Sequence, residues 1–339
     1  MAYSYDLLQL RWIRALVQSR TVQLIILLLT SMGYSLAIFT GFFGSPVGSA
    51  NFATIWVWLV WWGIFVILFL PFFGRLWCAV CPIPIAGEYI QRKSFFGGSL
   101  GKKIKLSPRF FPTQLQGMWL SNILFFLFAI FAGKLTTNPR LTALTLLLLL
   151  ATSITTAVKY RERSFCRHLC PIGGSIGIYS LTNPIELRVK STDVCKNHHS
   201  KDCVFGNDKS FGCPWMVYPG SLKSNQNCGL CMECVRACDL DNISLNFRPL
   251  KDDLLKEVPK FEEDARVFLL LMISVMYPVV FLGTWNELTR LSNFTNIPEF
   301  TGFSLVVALV TTLISGYFMI PNYLLLKNYH SREEALLSV

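Results

Sequence analysis

The sequence predicts an α-helical membrane protein of six spans, paired into three hairpins, with an α+β insert on one side of the membrane. Three observations carry that expectation: an apolar composition, long stretches without charge, and a one-sided distribution of lysine, arginine and cysteine. Hydrophobic residues make up 53% of the 339 residues and charged residues 15%, against roughly 25% charged in a typical soluble domain. Mean hydropathy is +0.46, and there are 27 Phe and 9 Trp. A soluble fold of this length has too little interior to hide so much apolar surface. A freely soluble enzyme is excluded.

The elements follow in order from the charge-free stretches, since about 20 apolar residues cross a bilayer core. Nothing charged lies between Arg20 and Arg75, and a turn at Gly44, Ser45, Pro46 and Gly48 splits that run into helices at 21–42 and 53–73. Residues 110–133 and 141–158 give a second hairpin around Asn138 and Pro139, and residues 267–286 and 300–326 a third. Each run is apolar all round, which marks a span rather than a helix lying in the interface. Pro278 and Pro321 are expected to kink the last two helices. Trp56, Trp58, Trp61 and Trp62 read as bundle packing or interface anchors. The chain divides into membrane helices 1–4 at 1–184, an insert at 185–260, and helices 5–6 with a tail at 261–339.

Charge sets the expected orientation. Of 31 Lys and Arg, three (Lys134, Arg140 and Arg290) fall on one side and the remaining 28 on the other. Basic residues stay in the cytoplasm, so both termini and the insert are expected there, in a multi-pass inner membrane. No cleavable secretory signal is expected, because the first apolar run is long and a second helix follows it. The net charge of +11 tracks topology and lipid contact; nucleic acid is not an expected partner.

All eleven cysteines lie on that same side. The cytoplasm is reducing, so such clusters point to metal or redox work rather than disulfides. The run Cys228-x2-Cys231-x2-Cys234-x3-Cys238 has the compressed spacing of a [4Fe–4S] site, whereas zinc sites usually separate two CxxC pairs by a dozen residues or more. In two-cluster ferredoxins the last cysteine of such a run serves the other cluster. By that crossed rule Cys213, followed by Pro214, joins Cys228, Cys231 and Cys234. Cys238 then joins Cys195 and Cys203, which leaves one ligand short. His198, two residues after Cys195, is the candidate fourth ligand; the alternatives are a three-iron cluster or a ligand from Asp202 or His199. The insert is therefore expected to be ferredoxin-like with two clusters. Two more pairs, Cys78-x2-Cys81-Pro82 and Cys166-x3-Cys170-Pro171, follow the second and fourth spans and read as an internal repeat. Together they supply four thiolates, enough for a further [4Fe–4S] cluster at the membrane edge. The total expected is two to three clusters.

The segments "GRLWCAVCPIPIAGEYIQR", "CRHLCPIGGSIGIYSL" and "CGLCMECVRAC" resemble the membrane polyferredoxins typified by NapH, NosR and MauN, over roughly residues 55–245. The resemblance implies two membrane-edge Cys-Pro motifs, matched by Cys78, Cys81, Cys166 and Cys170. It also implies a ferredoxin part, matched by Cys213, Cys228, Cys231, Cys234 and Cys238. It implies electron transfer between the quinone pool and a dedicated reductase. The sequence departs from the family in its Cys-x2-Cys first pair, in one missing ferredoxin cysteine, and in lacking a flavin-binding periplasmic domain of the NosR kind.

No histidine lies inside a span, so haem b is not expected. His168, between Cys166 and Cys170, is a candidate proton relay to a quinone, with Glu88 and Glu162 near the same edge. The spans hold no carboxylate or lysine, which argues against a pump or transporter. The reading is a membrane iron–sulfur protein, a candidate quinol dehydrogenase subunit, passing electrons between quinone and a protein redox partner. The alternative is an assembly factor that reduces copper or iron for a respiratory metalloenzyme.

Overall fold

The computed structural model describes residues 4–92, 109–161, 163–250, 253–254, 260–279, 285–295 and 297–337. Four helices are long and apolar enough to cross a membrane: Arg20–Phe43, Phe52–Val80, Pro139–Lys159 and Thr301–Pro321. Leu28, Leu29, Met32, Phe39, Leu59, Ile67, Leu148, Leu309 and Leu313 stand exposed along them, an outer surface suited to hydrocarbon. These helices mark the chain as a membrane protein.

The hairpin turns form where the sequence places them. Gly44 ends the first helix, and Asn51 starts the second by accepting the Ala53 N–H while donating to the Thr40 and Ser45 carbonyls. Asn138 caps the Pro139–Lys159 helix through the Arg140 and Leu141 N–H groups, with Pro139 at its first turn. The Phe52–Val80 helix is wound partly as π-helix, over Ile55–Trp61 and Phe65–Phe73. The wider turn accommodates Pro71, which lacks an N–H to donate.

Two of the six expected spans take another form. Of residues 110–133, the α-helical parts are Trp119–Ile130 and the start of the short Ala132–Thr137, with a single 3₁₀ turn at Thr113–Leu115 ahead of them. Gly117, at φ +105°, separates that turn from the longer helix, and the Met118 N–H donates to Glu262 instead of a preceding carbonyl. Lack of charge was not enough to make a helix there. The fifth expected span begins early, at Phe261, with Glu262, Glu263 and Asp264 in its first turn, and runs to Val279. Residues 280–284 of the expected span, and Glu162, lie outside the described residues.

The Arg20–Phe43 helix packs along Pro139–Lys159, and Phe261–Val279 along Glu299–Leu337. Gly41 makes the first approach close: a Cβ there would stand 2.6 Å from Ala143 Cβ and 2.8 Å from the Pro139 carbonyl oxygen. Across the same seam Tyr34 donates to the Leu146 carbonyl at 2.7 Å, and from the Phe52–Val80 helix Trp58 Nε1 donates to Thr142 Oγ1 at 3.1 Å. Trp58, Trp61 and Trp62 are half-buried against this core, which fits their reading as packing residues.

Beyond the helices lies a three-stranded antiparallel sheet in the order β1 (Tyr5–Asp6), β3 (Ile243–Phe247), β2 (Ile185–Val189). In register, Leu187 pairs with Leu245 and Tyr5 with Phe247. Leu187, Ile243 and Leu245 join Leu8, Leu230 and Cys234 in a second core. The α+β character expected of the insert is present, and the extreme N-terminal segment completes its sheet.

Candidate metal centres

The eleven cysteines fall into three neighbourhoods. Cys78 and Cys81 leave the end of the Phe52–Val80 helix; Cys166 lies in a single π turn, Phe165–Leu169, and Cys170 ends it. All four line one apolar cavity of about 90 Å³ with Trp61, Trp77 and Phe165. Cys213, Cys228, Cys231 and Cys234 line a smaller cavity of about 20 Å³ with Trp215 and Gly229. Cys203 neighbours Cys195 and Cys238. The neighbourhoods are contiguous: Cys81 and Cys231 border one cleft, and Cys234 lies near Cys203.

Local backbone explains the shapes. In each of three Cys-Pro steps the N–H two residues on faces the cysteine sulfur: Ile83 to Cys81, Ile172 to Cys170 and Trp215 to Cys213. Cys228 and Cys231 receive the same donor, from Leu230 and Glu233, with Gly229 and Met232 in the place of proline. The non-glycine residues in the left-handed region, Lys201, Met216, Leu230, Met232 and Asp241, all stand within three positions of a cysteine. Such backbone costs about 1–3 kcal/mol per residue and clusters at binding sites. Leu230 and Met232 flank Cys231 and coil the loop tightly enough to turn its three cysteines onto one cavity.

Burial pushes the thiols up: Cys203, Cys213 and Cys228 to about 11, Cys231 to about 12, and Cys81, Cys166, Cys170 and Cys234 also upward. Left alone they are neutral thiols; metal ions that displace the protons convert them to ligands. Among the described residues no three His, Cys, Asp or Glu side chains converge tightly enough to hold a single metal ion. The cysteines instead ring cavities, the arrangement that suits a multi-iron cluster with one cysteine per corner.

Two arginines strengthen that fit. Arg75 and Arg266 are 3% and 0% exposed. Nε and Nη1 of both have no hydrogen-bond partner, and neither has an acidic partner among the described residues. Arg75 neighbours Cys78, Cys166 and Cys170, and also Cys228. Arg266 neighbours Cys170 and donates through Nη2 to Ser121 and to the Pro171 carbonyl. Burying an uncompensated cation costs several kcal/mol. A thiolate-bound iron–sulfur cluster is anionic and would supply the missing countercharge.

Other expected site residues are placed as follows. His198 is half-buried, and its Nε2 faces Ser200 Oγ at 3.2 Å rather than a cysteine. Asn242, which sequence reasoning missed, touches that third neighbourhood: its Nδ2 donates to Cys195 Sγ at 3.2 Å and its backbone N–H to Cys238 Sγ at 3.4 Å. His199 is exposed, and Asp202 begins the short Asp202–Phe205 helix that carries Cys203. His168 is buried, stacked on Phe111 at 4.7 Å with Nδ1 3.3 Å from the Gly117 carbonyl oxygen. Burial lowers its pKa, so the ring is a neutral donor to that carbonyl. Glu88 is ion-paired with Arg163 and with Arg92 at 3.3 Å. Burial alone would raise its pKa, but the two arginines hold it below the usual range. Arg163 also donates to the Cys78 carbonyl, and its own N–H donates to that of Pro214 at 2.9 Å, so this pair ties the membrane-edge cysteines to the Cys213 loop.

A family model described as a 4Fe-4S binding domain matches residues 54–105 and 142–181. The two matched segments each hold one apolar helix and one Cys-Pro pair, the repeat read from the sequence. The chain is also 24% identical over 146 residues to the putative electron transport protein YccM of Escherichia coli (strain K12), a match covering 41% of this chain and 38% of that protein. No solved structure matches the chain. The family model and the relative support an iron–sulfur protein of electron transfer.

Proposed function

We propose that this chain is a membrane-bound electron-transfer protein that holds three iron–sulfur clusters and passes electrons between the quinone pool and a protein redox partner. The observation that carries the proposal is the contiguous series of three cysteine neighbourhoods, running from the end of an apolar helix into the insert, with buried, unpaired arginines beside the first. Cys78, Cys81, Cys166 and Cys170 hold the first cluster. Cys213, Cys228, Cys231 and Cys234 hold the second. Cys195, Cys203 and Cys238 hold the third, whose remaining position goes to His198 after a rotation of its loop, or stays open in a three-iron cluster. Iron–sulfur clusters supply one-electron chemistry; the chain binds them, keeps them dry and sets their surroundings.

In this reading the chain has six spans, with Trp119–Thr137 and Phe261–Val279 contributing to the third and fifth, and the insert and both termini lie in the cytoplasm. The narrower kinship to the NapH, NosR and MauN type rests on the two Cys-Pro motifs and the Cys228 run. Metal and acid-labile sulfide analysis of anaerobically purified protein tests the proposal. Three clusters of the expected ligand sets require about twelve irons per chain. Stoichiometric zinc with little iron overturns the proposal.

A further inference from the structure

We infer that Arg75 is a positioning residue shared by the first two centres, a single buried cation that raises the reduction potential of both. The inference rests on the iron–sulfur reading above. Its basis is how the fold delivers this side chain. Gly74 precedes it at φ +50°, and a Cβ there would stand 2.1 Å from the Asn183 side-chain amide, so glycine is required for the turn that aims Arg75 inward. A Cβ on Gly177 would lie 2.6 Å from Arg75 Nη2, so that glycine makes the room. Gly173 accepts from Nη2 at 3.2 Å, which fixes the guanidinium plane. The guanidinium carbon then sits 4.8 Å from the centre of the Trp215 ring.

Trp215 is 1% exposed and lines the cavity of Cys213, Cys228, Cys231 and Cys234. It also belongs to the core that contains Cys78 and Cys166. Arg75 on its face therefore stands between the two cysteine sets, with Cys78, Cys166 and Cys170 to one side and Cys228 to the other. The other buried arginines differ in charge balance or in place. Arg248 pairs with Glu186 and Asp253. Arg163 also borders cysteines of both sets but is neutralised by its own carboxylate, Glu88, and Arg266 neighbours only Cys170 of the cysteines. A cation beside an anionic centre favours its reduced form. A cation shared by two centres raises both together, which keeps them matched for exchange.

The test is a redox titration of the full-length protein, purified anaerobically and followed by EPR, with iron content measured on each sample. Arg75→Gln is expected to lower the potentials of both centres by at least tenfold in the redox equilibrium, about 59 mV for a one-electron couple. Arg75→Lys keeps the charge and is expected to stay close to the parent at both. Arg266→Gln is expected to shift the membrane-edge centre alone. An iron-replete Arg75→Gln protein in which neither centre moves, or only one does, overturns the inference while leaving the iron–sulfur reading intact. If Arg75→Gln loses iron, Arg75→Lys decides: a fall at both centres despite the retained charge overturns the inference. A parent protein without iron overturns the reading and the inference together.

Discussion

Replacing Glu88 by Gln removes the negative half of the Glu88–Arg163 pair and leaves the Arg163 guanidinium, 8% exposed, without its carboxylate. Breaking a buried pair by removing one partner costs about 3–5 kcal/mol. Glu88 keeps 17% of its side chain exposed, which places the loss near the lower end, about 3 kcal/mol. A domain of 150–250 residues loses roughly 2–4 °C of melting temperature per kcal/mol, so a fall of about 6–12 °C is expected. Thermal unfolding in mild detergent, followed by tryptophan emission, reads it. The double variant Glu88→Gln/Arg163→Met should recover most of the loss, because the stranded charge is gone. The pH dependence has a definite sign. The folded pKa of Glu88 lies below its unfolded value of about 4.3, so the pair's contribution is complete above that pH and disappears as pH falls through the folded value. The parent–variant gap should be constant between pH 6 and 8 and close only in acid. A single variant that melts with the parent, or a double variant less stable than the single, would refute the claim that this pair braces the site.

Cys170→Ser should remove about four irons per chain while the EPR signal of the Cys228 set persists, and should abolish reduction of the remaining clusters by quinol but not by dithionite. Gly41→Leu should separate the Arg20–Phe43 and Pro139–Lys159 helices at a cost of about 1–3 kcal/mol for overpacking, seen as a lower melting temperature in detergent with iron retained per folded chain. A reporter inserted near Gly48 should lie outside the cytoplasm and one within 185–260 inside; the reverse pattern would overturn the charge argument for orientation.

Features encoded within a few residues were legible in the sequence. The turn at residues 44–48, the turn at Asn138 and Pro139 and the four long apolar helices follow from local composition, because a Gly/Pro turn or an apolar run needs only its own neighbours. Features made by distant residues were not. Arg75 looks like an ordinary basic flank of a span, yet it bonds Gly173 and faces Trp215. Arg266 looks like a cytoplasmic anchor, yet it is enclosed by Ser121, Phe125 and Pro171. The shortened helix at Trp119 required knowing that Glu262, far along the chain, accepts the Met118 N–H. Asn242 carries no motif; only the fold brings it to Cys195. The two-residue strand β1 is too short to show any period.

That strand has a consequence for biosynthesis. Tyr5 and Asp6 leave the ribosome well before their partners, Phe247 and Asn246, which are made only after four of the proposed spans have been threaded into the membrane. Asp6 also accepts the Leu245 N–H at 3.2 Å, and Arg14 reaches Asp241, so the whole leading segment waits for the insert. The sheet is thus a latch that closes late. A bulky fusion ahead of Tyr5 would delay its closing and leave the edge of β3 open while the cysteine loops are still being loaded.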